Sequence, residues 1–223
     1  MNKEILKKIG IEAIKYIPKG SILGIGTGKT VSYFIQQIQC IRHKIVGIVS
    51  TSMHSLLQIK KIKIPIFDCN FVEKIDVYID SADEVNKNLE MIKGGGGALT
   101  AEKIVSYCSK KFICIVEEKK LVKKFKKFPI PVEIIPISYP LFCKEIKKIG
   151  GIPIHRKNFF TENGNIIVDI YNLKISNPES LEKKINCIPG VVTNGIFSIK
   201  KADLLIVGKK NQTIKIIKSK KIT

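Results

Sequence analysis

Tryptophan is absent from the 223-residue chain, and histidine and methionine occur three times each. His43, His54 and His155 lie far apart, and there is no HExxH or Cys/His cluster. No metal site and no cofactor are therefore expected. Six cysteines (Cys40, Cys69, Cys108, Cys114, Cys143 and Cys187) form no CxxC pair, so a disulfide framework is not expected. A run of about 18 apolar residues is missing, which excludes a membrane-spanning helix. The opening MNKEILKKIGIEAIKYI is charged throughout, unlike a signal peptide, and lacks arginine, unlike a transit peptide. The expected compartment is the cytoplasm. Acid is scarce as well: 19 Asp and Glu face 39 Lys and Arg, a formal net charge of +20. Such an excess reads either as a nucleic-acid surface or as a compositional preference for lysine at solvated positions. Lysine runs from Lys3 to Lys221 with few arginines and little aromatic interleaving, and isoleucine is equally favoured. We therefore favour composition and expect neither a nucleic-acid nor a membrane partner. The charge would still draw in a small anion. What remains is a globular composition, 44% hydrophobic and 26% charged, long enough for one large domain or a core with a second lobe.

The chemistry concentrates in KIDVYIDSADEVNKNLEMIKGGGGALTAEKIV, residues 74–105. Lys74 to Ile79 reads as a buried strand, and Asp80, Asp83 and Glu84 follow its carboxyl end. Ligands of open α/β sheets collect at such ends. Taken alone, the two aspartates could be a turn and a helix cap. Met91 to Lys93 reads as a second short strand, followed by Gly94 to Gly97. Four glycines lose much backbone entropy on folding, so their use implies close approach or positive φ. A helix from Ala98 to Ser109 would then present free N–H groups to an anion, with Glu102 in its first turn. Acids, a cation and an anion cradle together suit proton transfer on a small anionic molecule.

Around this segment the chain alternates helix and strand. Lys3 to Ile17 reads as an amphipathic helix, Ser21 to Ile25 as a strand and Val31 to Ile41 as a helix. Between the last two lies Gly26-Thr27-Gly28-Lys29-Thr30. This loop fails both the P-loop pattern, because position 23 is Leu23, and the dinucleotide fingerprint, because Gly24 and Gly26 are followed by Lys29. Its amides, hydroxyls and cation suit one phosphate. Further expectations are strands at 44–49, 65–68 and 111–116, a helix at 53–61 and a surface helix at 121–128. From Pro129 the texture changes: helices at 139–149 and 176–185, strands at 153–156, 166–171 and 195–197, and a hairpin turn at Asn163-Gly164-Asn165. Residues 202–207 return as a buried strand, 213–217 add an edge strand, and the basic tail is expected to be solvated.

The run IDSADEVNKNLEMIKGGGGALTAEKI resembles the signature of the type A ribose-5-phosphate isomerase family, usually DGADE, then MIKGGG, then ALxxEK. GIGTGKT resembles the family's GxGTGST-like loop, and FPIPVEIIP and INCIPGVVTNGIF resemble family segments too. The resemblance spans about Ile5 to Gly208. It implies a Rossmann-like open α/β sheet core, residues 1–128 plus 201–223. It also implies a smaller ferredoxin-like α+β lobe, residues 129–200, that helps form a homodimer or tetramer. The implied reaction interconverts D-ribose 5-phosphate and D-ribulose 5-phosphate through an enediolate, in the pentose phosphate pathway. Glu102 would be the carbon base, and Asp80 and Asp83 would manage ring opening and the oxygen protons. Lys93 with Gly94, Gly95 and Gly96 would stabilise the enediolate. Thr27, Gly28, Thr30 and Lys7 would serve the phosphate end, Lys29 would contact the phosphate or point to solvent, and Ser81, Ala82 and Lys120 would complete the substrate contacts. Three departures stand out: Ser81 for glycine, Lys29 for serine, and Gly97 for alanine, the last expected to be harmless. The family's D-x-S-K is here Glu117-Glu118-Lys119-Lys120. A sugar-phosphate sensor is the competing reading, but a sensor needs no proton-transfer acids and all three are present.

Overall fold

The structure, a computed structural model, describes residues 3–125 and 127–219. The basic tail from Lys220 lies outside them. Its elements are α1 (Lys3–Ile14), β1 (Ser21–Ile25), α2 (Lys29–Ile38), β2 (Ile45–Ser50), α3 (Met53–Lys60), β3 (Ile75–Asp80), β4 (Glu84–Val85) and β5 (Met91–Ile92). Then come α4 (Leu99–Tyr107), β6 (Ser109–Glu117), β7 (Ile130–Ile134), α5 (Tyr139–Lys148), β8 (Ile152–His155) and β9 (Ile166–Tyr171). The chain closes with α6 (Pro178–Asn186), β10 (Val191–Asn194), β11 (Ile196–Phe197), β12 (Leu204–Gly208) and β13 (Ile214–Lys218).

The inner strands of the main sheet carry continuous apolar runs, such as FICIV of β6 and LLIV of β12, because both faces are covered there. Side chains alternate across a strand. In β3, Val77 and Ile79 enter one core cluster while Tyr78 enters the other. In β6, Ile113 and Ile115 face the first cluster, and Phe112, Cys114 and Val116 face the second. β12 divides likewise, Leu204 and Ile206 against Leu205 and Val207. Continuous apolar runs of this kind belong to parallel sheets buried on both sides. The observed order is β13-β12-β6-β3-β1-β2, parallel except for the antiparallel edge strand β13. α1 and α2 cover the first face through Ile5, Leu6, Ile9, Val31 and Phe34.

β1 lies between β2 and β3, so the order of the sheet reverses beside it. The carboxyl ends of β1 and β3 therefore flank a topological switch point, the usual crevice of such sheets. A second, four-stranded antiparallel sheet, β10-β7-β9-β8, has its own core with Phe142, Ile146 and Ile185 from α5 and α6. A three-stranded ribbon, β11-β5-β4, bridges residues 84–92 and 196–197.

Two expectations need correction. Residues 121–128 are not a helix among the described positions. Leu121 forms a parallel bridge to Val85, Val122 N–H donates to the Val85 carbonyl at 2.8 Å, and Phe125 is buried. A short lysine-rich segment stopped by Pro129 has little intrinsic helix stability, and the open edge of β4 offers its backbone partners. The strand expected at 65–68 shrinks to a bridge between Ile66 and Ile48. The strand expected at 195–197 is β11, Ile196–Phe197, with Gly195 as the corner between it and β10 of the other sheet.

Candidate active site

Asp80 ends β3 with its side chain fully buried. It is surrounded by donors rather than by counter-acids. Oδ1 accepts from the Thr27 amide at 3.0 Å and the Ser81 amide at 2.7 Å. Oδ2 accepts from the Tyr78 hydroxyl and from Lys93 Nζ, the latter at 2.7 Å. Gly26 makes this possible: a Cβ there would lie 1.8 Å from the Asp80 carboxyl carbon. One carboxylate thus ties the β1 loop to the end of β3.

Lys93 follows β5, and its amide is held by the Gly195 carbonyl at 2.8 Å. Its ammonium bonds Asp80 and the Ser81 carbonyl and lies 3.2 Å from Glu102 Oε2. Burial alone would lower the Lys93 pKa, but Asp80 and Glu102 outweigh it and hold it above the ordinary lysine value. Glu102, in the first turn of α4, is 3% exposed. Burial pushes its carboxyl up to about 7, Lys93 pulls it back, and Asp80 adds to the rise. Although near Lys93, Oε2 is not aligned for a hydrogen bond and has no hydrogen-bond partner among the described residues. A carboxylate poised near neutrality with an unused oxygen is suited to take a proton from carbon.

Asp83 is half-buried, and its Oδ2 accepts from the Gly95 amide at 2.9 Å. Gly94 and Gly97 adopt φ of +98° and +82°, which explains glycine at these two positions. Lys120 Nζ reaches Ser81 Oγ at 3.3 Å; burial lowers its pKa, with Asp83 opposing. Ser81 does not take a positive φ, so serine is unstrained there and supplies a hydroxyl contact. Ala82 packs into the second core cluster. Gly28, at φ +103°, precedes the α2 N-terminus; Thr30 is buried, whereas Lys29 is exposed on the first turn of α2 and Lys7 is exposed on α1. A cavity of about 260 Å³ opens beside this group, lined by Thr27, Thr51, Gly96, Ala101, Phe159 and Glu162 among others. Pockets for larger ligands run to about 300–1,000 Å³, so this one suits a small polar molecule. Among the described residues no three His, Cys, Asp or Glu side chains are grouped to hold a metal ion.

The structure thus brings Asp80, Asp83, Lys93, Glu102, Gly95, Ser81, Thr27 and Lys120 together. Sequence reasoning missed Tyr78 and Glu133. Tyr78 had a signal, since it stands two residues before Asp80 and so shares its strand face. Glu133, 1% exposed, had none. Its carboxylate collects the hydroxyls of Thr100 and Thr161 and the side-chain amides of Asn163 and Asn165. It fastens the 156–165 loop and the start of α4 to β7. Glycine at position 97, in place of alanine, fits its surroundings. Its φ excludes alanine without strain, and the Phe159 ring stands 2.1 Å from where a Cβ would be.

A family model described as ribose 5-phosphate isomerase A (phosphoriboisomerase A) matches residues 47–212. The chain belongs to the ribose 5-phosphate isomerase A family. The ribose-5-phosphate isomerase A of Buchnera aphidicola subsp. Schizaphis graminum is 49% identical over 205 residues, 92% of this chain and 94% of that one. The solved ribose 5-phosphate isomerase A from Neisseria gonorrhoeae superposes with a TM-score of 0.93 at 42% identity, covering 98% of both chains. Another solved D-ribose-5-phosphate isomerase, in complex with phospho-erythronic acid, gives a TM-score of 0.92 at 37% identity. It covers 98% of this chain and all of that one. The family's open sheet with a smaller antiparallel sheet is the architecture found here.

Proposed function

We propose that this chain interconverts D-ribose 5-phosphate and D-ribulose 5-phosphate by proton transfer. The observation that carries the reading is Glu102, buried with its carboxyl near 7 and its Oε2 ion-paired to Lys93 at 3.2 Å without a hydrogen bond. In the open-chain aldose, Glu102 takes the proton from carbon 2 as the C1 carbonyl becomes an enediolate oxygen. The same group, now protonated, returns the proton to carbon 1. Between these steps the O2 hydroxyl proton must pass to O1, and Asp83, half-exposed beside the glycine amides, is the group we assign to it. Asp83 would likewise exchange protons with the ring and anomeric oxygens on opening. Asp80, with both oxygens taken, serves by fixing Lys93 and the Thr27 amide. The Lys93 charge and the Gly95 and Gly96 region stabilise the developing oxyanion. The start of α2, with Thr27, Gly28 and Thr30, faces the phosphate.

We further infer that residues 129–200 form an assembly lobe. Ile152 and Ile154 of edge strand β8 are 48% and 51% exposed, and an apolar sheet edge left open favours pairing with a second copy as a homodimer. A cytoplasmic setting in the pentose phosphate pathway accords with this chemistry.

The test is conversion of ribose 5-phosphate, with chelator present, by the parent and by Glu102→Gln. Turnover by the parent that collapses in the variant supports the assignment. A folded parent that binds the sugar phosphate without converting it would replace the isomerase with a sensor.

A further inference from the structure

Arg156 follows β8 and belongs to the lobe, not to β3 and α4, which carry Asp80 and Glu102. Its guanidinium is gripped on one edge by Asp169 of β9: Nε donates to Oδ2 at 2.9 Å and Nη2 to Oδ1 at 2.6 Å. That bidentate pair fixes the plane of the fork. The remaining nitrogen, Nη1, then reaches the carbonyls of Gly94 at 3.4 Å and Gly95 at 3.2 Å. The guanidinium also lies over the Phe159 ring at 5.4 Å, and Phe159 fills the space that a Gly97 side chain would need. Three of the four consecutive glycines are therefore gripped from the lobe side.

Glycine has little conformational preference of its own, so a run of four would sample many backbone states. A trans peptide is planar, and its C=O and N–H point in opposite directions. Holding the Gly94 carbonyl toward Arg156 turns the Gly95 amide away, onto Asp83, where it is found. Holding the Gly95 carbonyl turns the Gly96 amide away from Arg156 in the same manner, and Gly96 lines the cavity together with Thr27. Lysine could not do this, because a single ammonium cannot pair with a carboxylate through two parallel bonds and still present a third, fixed donor.

We infer that Arg156, set by Asp169, is a positioning residue that aims the Gly96 N–H at the reacting oxygen. The inference rests on the isomerase reading above. Removing one oxyanion donor outright costs about 10²–10³ in kcat. Arg156→Met loosens such a donor rather than deleting it, so kcat is expected to fall about 10- to 100-fold with KM little changed. The carboxylate of phospho-erythronate resembles the planar enediolate. Its affinity should fall by the same factor as kcat/KM, while inorganic phosphate binds as before. Arg156→Lys should remain low, and Asp169→Asn should share the defect in milder form. Guanidinium in solution should restore part of the rate to Arg156→Ala.

A folded Arg156→Met variant with kcat within about twofold of an active parent would overturn the inference, as would a loss confined to KM. If that variant does not fold, Arg156→Lys and Asp169→Asn decide the matter by the same kcat and phospho-erythronate criteria. A parent inactive on ribose 5-phosphate would overturn the isomerase reading itself, a result distinct from an active parent indifferent to Arg156.

Discussion

Replacing Glu102 by glutamine separates what the buried carboxylate does for the reaction from what it costs the fold. In the parent, a base with a pKa of about 7 gives kcat/KM a limb that falls toward acid. Between pH 8 and pH 6 the ionised fraction, and with it the rate, should drop about tenfold. At an ordinary glutamate value of 4.5, no such drop would occur in this interval. Glutamine should remove about 10²–10⁴ of the rate and the limb with it. Stability should move the other way. The folded value lies above the unfolded one, so between pH 4.5 and about 7 the folded chain keeps a proton that the unfolded chain has released. Stability therefore declines as pH rises through this window and levels off above it. The shift corresponds to about 3 kcal/mol against the folded parent at pH 8. Glu102→Gln should thus be more stable than the parent at pH 8 by an amount of that order. The difference should close toward pH 4.5, as measured by urea unfolding at each pH. A variant less stable than the parent at pH 8 would refute the buried-charge account. A parent limb near pH 4.5 would refute the poised base.

Lys93→Met leaves Asp80 and Glu102 buried without their shared cation. It should destabilise the chain by about 3–5 kcal/mol near neutral pH and move the acid limb upward, seen in urea unfolding and pH–rate profiles. Gly97→Ala should cost at least about 1 kcal/mol from its positive φ, with the clash against Phe159 added. Thermal unfolding should show Phe159→Ala relieving the second part alone. Gly26→Ala places a methyl on the Asp80 carboxyl and should abolish activity even where folded protein is recovered, because Asp80 cannot then hold Lys93 and the Thr27 amide together.

The strands of the main sheet were legible because burial on both faces leaves an uninterrupted apolar run, as in FICIV of β6. Much of the proposed site was legible because Asp80, Asp83, Lys93, the glycines and Glu102 are close in sequence, and the turns that join them bring them together. The rest was hidden for one physical reason. Arg156 meets Gly94 across 62 residues, and Glu133 meets Thr100 across 33. No local periodicity encodes a contact made only when separate sheets pack. The segment 121–128 misled in the same way: its lysines and apolar residues fit a helix, but the free edge of β4 decided its conformation.

Asp80 accepts hydrogen bonds from the loop before α2 and from Lys93 with the two oxygens of one carboxylate. On the proposed reading, grip on the substrate's anionic tail and polarisation of its carbonyl end are therefore not independent. On that reading, a displacement at the end of β3 would reach both ends of the sugar at once. Substitutions around Asp80 should move affinity and turnover as a correlated pair. A chain that works this way would adapt to a longer or shorter sugar through the glycine run or the second sheet, not through β3.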